Sequence, residues 1–142
     1  MKLLNGKMVG MKIDILTLFP EMFKGPLDES IIKRAKNKKL VEIKIHNLRN
    51  WAKDKHKTVD DRPFGGGVGM ILKVNIIDKA ISSLKQRGSN SKVTLLDAGG
   101  KKFTQKDAKR LSKLKHLILI AGHYEGIDYR VHQKIADEVF SI

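Results

Sequence analysis

Leu117–Gly126, read as LILIAGHYEG, is the stretch that decides the fold. Leu117 to Ala121 are apolar without polar alternation, the pattern of a strand covered on both faces of a sheet. The run stops at Gly122, and His123, Tyr124, Glu125 and Gly126 follow beyond the strand's C-terminal end, where open α/β sheets bind ligands. Gly122 would let a ligand approach the backbone with no Cβ in the way, and Gly126 would allow a tight turn. A strand-to-helix turn with a surface tyrosine accounts for the same residues equally well.

Working upstream, Val93–Leu96 (VTLL) reads as a second short buried strand, and Asp97, Ala98, Gly99 and Gly100 as a small-residue turn at its end. If the two strands run parallel, both glycine-bearing turns fall on one sheet edge, a pocket-like arrangement for a small ligand. Between them Thr104 and Asp107 resemble a capping box opening a helix, with Ala108, Leu111 and Leu114 inward and Lys106, Lys109, Arg110 and Lys113 outward. Further back, Leu72, Ile76, Ile77, Ala80, Ile81 and Leu84 recur at helical spacing, with Gly88 placed to end that helix.

Lys12–Phe19 (KIDILTLF) predicts the first strand, closed by Pro20 and a short helical turn at Glu21–Phe23. Asp28 is placed to cap a helix with Ile31, Ile32 and Ala35 on one side, whose far end carries Lys33, Arg34, Lys36, Lys38 and Lys39. Those cations suit a helix C-terminus and equally suit phosphates. Leu40–His46 alternates as a half-buried strand does. Downstream, Ile127, Val131 and Ile135 predict a last short helix, and Val139–Ile142 another strand. Strands alternating with helices give the expected class: α/β, a mainly parallel sheet with helices on both faces.

Thr58–Met70 (TVDDRPFGGGVGM) fits neither period and is expected to be a loop. It is not a Walker A loop, since no Lys-Ser/Thr follows the glycines, and no strand leads into it as a dinucleotide fingerprint requires. That weighs against a nucleotide-binding module using Gly65–Gly69. A basic lead-in followed by Asp60, Asp61 and Arg62, then by backbone able to approach a partner closely, suits a loop closing over an anionic substrate. A flexible connector would look the same.

The 142 residues are enough for one ordinary domain, and Met1–Gly10, without clear period, is expected to be an extension outside it. The chain has no cysteine, which removes disulfides, thiolate metal sites and cysteine nucleophiles. No apolar run approaches bilayer length and no signal-peptide core opens the sequence, so a cytoplasmic location is expected. His46, His56 and His123 lack zinc-ligand spacing and read as surface or packing residues.

The formal net charge is +14, and because His123–Ile142 carry a net −2, the first 122 residues carry +16. Such an excess points to an anionic partner such as nucleic acid, unless it reflects only solvated lysine-rich surfaces.

Four ordered stretches carry a resemblance: IDILTLFPEMF at Ile13–Phe23, TVDDRPFGGGVGM at Thr58–Met70, GHYEGID at Gly122–Asp128, and DEVFSI at Asp137–Ile142. Over Met11–Ile142 the chain resembles the N-terminal part of the bacterial tRNA (guanine-N1)-methyltransferases, of the trefoil-knotted SPOUT class. The resemblance implies that residues 11–142 are a SPOUT methyltransferase domain within a homodimer. Its implied reaction transfers the methyl of S-adenosylmethionine to N1 of guanine 37, beside the anticodon of tRNA. It implies no metal, no membrane and no DNA partner.

Carried over residue by residue, Leu96, Ala98 and Gly100 are implied to line the first cofactor turn, and Gly122, Tyr124, Glu125 and Gly126 the second. Ile142 would begin a third contact segment. Asp60, Asp61, Arg62, Gly65, Gly66 and Gly67 are implied to serve the substrate guanine. Glu125 is expected to orient the cofactor or target base, since the family's general base, an aspartate, lies beyond Ile142 with the linker and the C-terminal tRNA-binding domain. Where many relatives have proline this chain has Ala98, which should loosen that turn. Because the stretch completing the knot also lies beyond Ile142, the 142 residues alone are expected to be inactive, with an incomplete knot. The competing reading is a non-catalytic basic RNA-binding α/β module in which the glycine turns are only turns.

Overall fold

The computed structural model describes residues 2–4, 7–61, 71–85, 90–122 and 126–142. In chain order the elements are strands β1 (Lys2–Leu4), β2 (Lys7–Val9) and β3 (Met11–Thr17), helix α1 (Ser30–Asn37), strands β4 (Val41–Asn47), β5 (Asp60–Asp61) and β6 (Ile71–Leu72), helix α2 (Val74–Leu84), strand β7 (Ser91–Lys102), helix α3 (Gln105–Leu111), and strands β8 (His116–Ala121), β9 (Gly126–Ile127) and β10 (Glu138–Ser141). A 3₁₀ turn at Pro20–Phe23 follows β3, and a π-helical turn at Val131–Ile135 precedes β10.

The main sheet has the order β10-β7-β8-β3-β4, with every neighbouring pair parallel. β8, the apolar run that opened the sequence reading, is its central strand. Its side chains split between two layers as the two-residue period requires. Ile118 and Ile120 join Leu16, Val93, Leu95 and the α2 residues Ile76, Ile77, Ala80 and Ile81 on one face. Leu117 and Leu119 join Leu111 and Phe140 on the other. Helices on both faces explain why β8 has no polar alternation.

Local chemistry fixes the helix starts unevenly. At α3 the capping box forms as expected: Thr104 accepts from the Asp107 N–H, and Asp107 accepts from the Thr104 N–H. At α1 the expected cap does not form. Glu29 is the N-cap, without a side-chain bond, and the Asp28 carboxylate accepts from Lys36 Nζ at 2.8 Å instead. The reason is competition, since a charged lysine one helix length away offers Asp28 a stronger partner than a backbone amide. α1 buries no residue, and Ile31 is 75% exposed, so its apolar side is not a core face.

Three further expectations are corrected by pairing partners distant in sequence. Leu72 lies in β6 rather than in α2, and Ile127 in β9 rather than in a helix, because the two pair with each other. Asp97–Gly100 do not end the strand: β7 continues through them to Lys102. Lys2–Leu4 and Lys7–Val9 pair antiparallel as a hairpin in a sheet of their own. Gly88 lies outside the described residues.

Candidate functional site

The C-terminal edge of the sheet is shaped by one register change. β7 and β8 run in register from Ser91↔His116 to Leu96↔Ala121, where β8 gives way to Gly122. On its other side β7 pairs Leu95 with Val139, yet the next β10 residue, Phe140, pairs with Lys101. Leu96–Gly100 therefore have no counterpart on β10 and bulge from the sheet. The expected turn is thus a bulge inside a longer strand, because β10 recaptures the chain at Lys101 and Lys102.

Ala98 and Gly99 are exposed in this bulge. A Cβ built on Gly99 would meet nothing within 4 Å. At Gly100 a Cβ would sit 2.8 Å from backbone atoms of both Val139 and Phe140, so only glycine lets β10 return so closely. Ile142 follows Ser141, whose register partner is Lys102, and so lies at the same edge, 88% exposed.

A second, three-stranded sheet of order β5-β6-β9 draws in the other two motifs. Asp60 pairs with Leu72 and Asp61 with Ile71, antiparallel. Ile71 then pairs with Gly126 and Leu72 with Ile127, parallel. Two backbone bonds extend the join: the Lys73 N–H donates to the Val59 carbonyl at 2.8 Å, and the Asp128 N–H to the Leu72 carbonyl at 3.3 Å. Asp60 and Asp61, expected in a loop, are therefore a strand in the same small sheet as Gly126, with β6 between the two. Gly122 closes the circle, since a Cβ there would lie 2.8 Å from Ile127 Cδ1 and 3.9 Å from Leu72 Cδ1.

Leu96, Ala98, Gly100, Gly122, Gly126 and Ile142 are thus placed around one edge, with Asp60 and Asp61 tied to it through β6. Arg62, Gly65, Gly66, Gly67, His123, Tyr124 and Glu125 lie outside the described residues. What the described part offers chemically is backbone: a bulge whose residues have no register partner on β10, beside a glycine at the end of the central strand. That suits a small polar ligand held mainly by main-chain hydrogen bonds.

Side chains that the sequence reading did not single out also meet here. His132, in the π-helical turn, contacts Asp97, in the bulge, through Nε2 and Oδ2 at 2.6 Å. The Tyr129 ring stacks on His132 with centroids 5.1 Å apart. The hydrogen bond from His132 holds the Asp97 carboxyl below the usual range, overcoming partial burial, with the Gly99 and Ala98 amides adding to it. Nearby, Arg130 clamps Asp128 through Nε at 3.0 Å and a terminal nitrogen at 2.6 Å, which likewise lowers the Asp128 pKa. A cavity of about 270 Å³ lies between the start of α2 and the π-helical turn, lined by Val74, Asn75, Asp78, Arg130, Lys134 and Ile135. No local signal marks Asp97 and His132 as partners, since thirty-five positions separate them.

A buried polar network crosses the strands of the main sheet. Asp14, fully buried, accepts from His46 Nε2 at 2.6 Å and from His116 Nε2 at 2.7 Å, while His116 Nδ1 lies 2.6 Å from Ser91 Oγ. Burial pushes the Asp14 pKa up, but hydrogen bonds from His46 and His116 and the charge of Lys12 bring it below the ordinary value. His46 is therefore a packing residue with a specific partner, and the network joins β3, β4, β7 and β8 across the sheet.

The family model described as tRNA (Guanine-1)-methyltransferase TrmD matches residues 11–142. Relatives named tRNA (guanine-N(1)-)-methyltransferase include the one from Dictyoglomus turgidum, 56% identical over 129 residues, or 91% of this chain and 52% of the relative. Those from Carboxydothermus hydrogenoformans and Citrifermentans bemidjiense are 52% and 50% identical, each over 93% of this chain and 51% and 53% of their own length. The chain spans about half the length of the curated relatives it matches.

Proposed function

The chain belongs to the tRNA (guanine-1)-methyltransferase family, and we propose that it serves the transfer of a methyl group from S-adenosylmethionine to N1 of guanine 37 in tRNA. Residues 11–142 are read as the methyltransferase domain, acting as a homodimer in the cytoplasm. One observation supports this reading most: the bulge after Leu96 and the glycine after Ala121 leave neighbouring parallel strands side by side. β6 ties the segment bearing Asp60 and Asp61 to the same edge.

The residues present fit such a donor. Around the bulge the space next to Gly99 is open, while the missing Cβ of Gly100 lets β10 close against the bulge and that of Gly122 lets Ile127 pack against the end of β8, so backbone lines this edge. Leu96, Ala98 and Gly100 would hold it from one side and Gly122, Tyr124, Glu125 and Gly126 from the other, with Ile142 at the rim. When bound, the sulfonium supplies an electrophilic methyl group.

The remaining demands fall on the protein. Guanine N1 carries a proton at neutral pH, so the target must be held with that proton accessible to a base and with donors near O6, where charge grows. Asp60, Asp61 and Arg62 are assigned to the target guanine, since carboxylates accept from its N1–H and N2–H edge and a guanidinium suits O6. Glu125 orients either reactant. Orientation of the two reactants supplies a large part of the rate advantage. The excess of basic residues provides phosphate contacts along the tRNA.

The test is calorimetry of S-adenosylmethionine with the full-length protein, beside labelled-methyl incorporation into tRNA transcripts carrying G or A at position 37. Cofactor binding with incorporation only into the G37 transcript is expected. Binding of tRNA without any cofactor heat would establish the RNA-binding module instead. Glu125→Ala should lower turnover more than stability, and an equal loss of both would make Glu125 structural.

A further inference from the structure

Over the five residues Leu96–Gly100 the bulge that forms one side of the site has no partner on β10, and past Leu96↔Ala121 it has none on β8, so strand pairing does not explain what holds its shape. Its own carboxylate supplies an answer. Asp97 Oδ1 accepts from the Gly99 N–H at 3.4 Å, inside the bulge, while Oδ2 meets His132 Nε2 at 2.6 Å, outside it. Both oxygens are thus engaged, one organising the bulge backbone and the other anchoring it to the π-helical turn.

The anchor is itself restrained. Val131, the neighbour of His132, is fully buried in the core beneath α2. Two backbone bonds frame the turn, from the Val131 N–H to the Asp128 carbonyl at 2.9 Å and from the Ala136 N–H to the Val131 carbonyl at 2.8 Å. Tyr129 covers one face of the imidazole, which is 16% exposed. Buried His132 Nδ1 has no partner among the described residues. That suits an imidazole whose proton sits on Nε2 and is donated to Asp97, so the ring is oriented by this one bond.

The turn bearing His132 continues directly from Gly126–Asp128, the segment that β6 links to the strand of Asp60 and Asp61. The Asp97–His132 hydrogen bond is therefore a side-chain link between the two sides of the site.

We propose that Asp97 and His132 are a positioning pair, a latch that sets the Leu96–Gly100 backbone in the shape that receives the methyl donor. This inference rests on the reading of the site as the S-adenosylmethionine site. His132 touches no reacting atom; it acts through Asp97, and Asp97 acts through the amides of the bulge. Losing the latch leaves the sheet and both cores intact, because neither side chain belongs to them. The bulge then samples other shapes, and the donor must select the competent one at a cost in affinity.

The test uses the full-length protein and measures the S-adenosylmethionine Kd, the KM values for cofactor and tRNA, and Tm. His132→Ala should weaken cofactor binding about tenfold, the order expected for a lost hydrogen bond to a charged group, with the KM for tRNA and Tm nearly unchanged. His132→Gln, which can present a nitrogen donor near the Nε2 position, should recover most of the affinity. Asp97→Ala, which also removes the acceptor for the Gly99 N–H, should lose at least as much as His132→Ala, and the double variant should lose no more than Asp97→Ala alone, as a coupled pair requires. Wild-type cofactor affinity in both single variants, additive losses in the double variant, or a fall in Tm that accounts for the loss would each overturn the latch. Absence of cofactor binding by the wild-type protein would overturn the functional reading on which it rests.

Discussion

Leu96 lies directly beside Ala121, in register on parallel strands, so the chain leaves the two strands at one edge of the sheet. Everything read as a methyl-donor site depends on that adjacency. Had the two strands run in opposite directions, the small-residue segments after them would have lain at opposite ends of the molecule.

The two close-packed glycines at this edge differ in what they touch, and that difference is measurable. A Cβ at Gly100 meets the backbone of Val139 and Phe140, whereas one at Gly122 meets the tip of the Ile127 side chain. Backbone in a paired strand cannot yield, but a terminal methyl group can rotate away. Gly100→Ala should cost about 3 kcal/mol and Gly122→Ala about 1 kcal/mol or less, read from denaturant midpoints at constant slope. Equal costs would mean that β10 can shift away from β7.

Asp107 makes stability depend on acid pH. Its carboxyl is lowered from 3.8 to about 2, first by the hydrogen bond from Thr104, against burial, and then by the Thr104 N–H, Arg110 and Lys101. A carboxyl depressed on folding contributes stability that is fully present above its unfolded value and is lost as pH falls through its folded one. The Asp107→Asn variant should therefore lose stability less steeply than wild type between pH 3.8 and about 2. Identical slopes in thermal scans across that window would refute the assignment.

The network on Asp14 should show an order of costs. Asp14→Ala strips two histidines of a fully buried acceptor and should cost about 3 kcal/mol. His116→Ala removes the buried one of the two histidines that Asp14 accepts from. His46→Ala, at a side chain 22% exposed, lets water replace the lost bond and should cost least. Chemical denaturation of the three variants tests the ranking, and a His46 variant as damaged as the Asp14 variant would contradict it.

Salt dependence of tRNA binding should separate the lysines of α1. Lys36 is already held by Asp28 at 2.8 Å and by the Leu27 carbonyl at 3.3 Å, whereas Lys33 is exposed on the same helix. Each cation that neutralises a phosphate adds about one to the slope of log affinity against log salt. Lys33→Ala should lower that slope by about one and Lys36→Ala by close to nothing. A full unit lost on removing Lys36 would show that tRNA displaces Asp28.

Much of the fold was legible because it is written in local patterns. The unbroken apolar run at Leu117–Ala121 announced a strand covered on both faces, and the Thr104–Asp107 spacing announced α3. Where local and distant partners competed, local reading failed. Asp28 chose Lys36 over the helix end, Leu72 and Ile127 chose each other over helices, and Asp97–Gly100 were recaptured by β10. A residue's pattern states which face it prefers, but not which strand will arrive to cover it.

By itself the sequence determined the class, the central strand, the basic character and the motifs that relate this chain to its family, since periodicity, composition and motif spacing are properties of neighbours along the chain. The tertiary structure decided that β6 joins the segment of Asp60 and Asp61 to that of Gly126, that the bulge after Leu96 opens at the edge where Gly122 emerges, and that His132 reaches Asp97. Those are contacts between residues many positions apart. They exist only once the parallel sheet has set its strand order and register, which no single stretch of sequence contains.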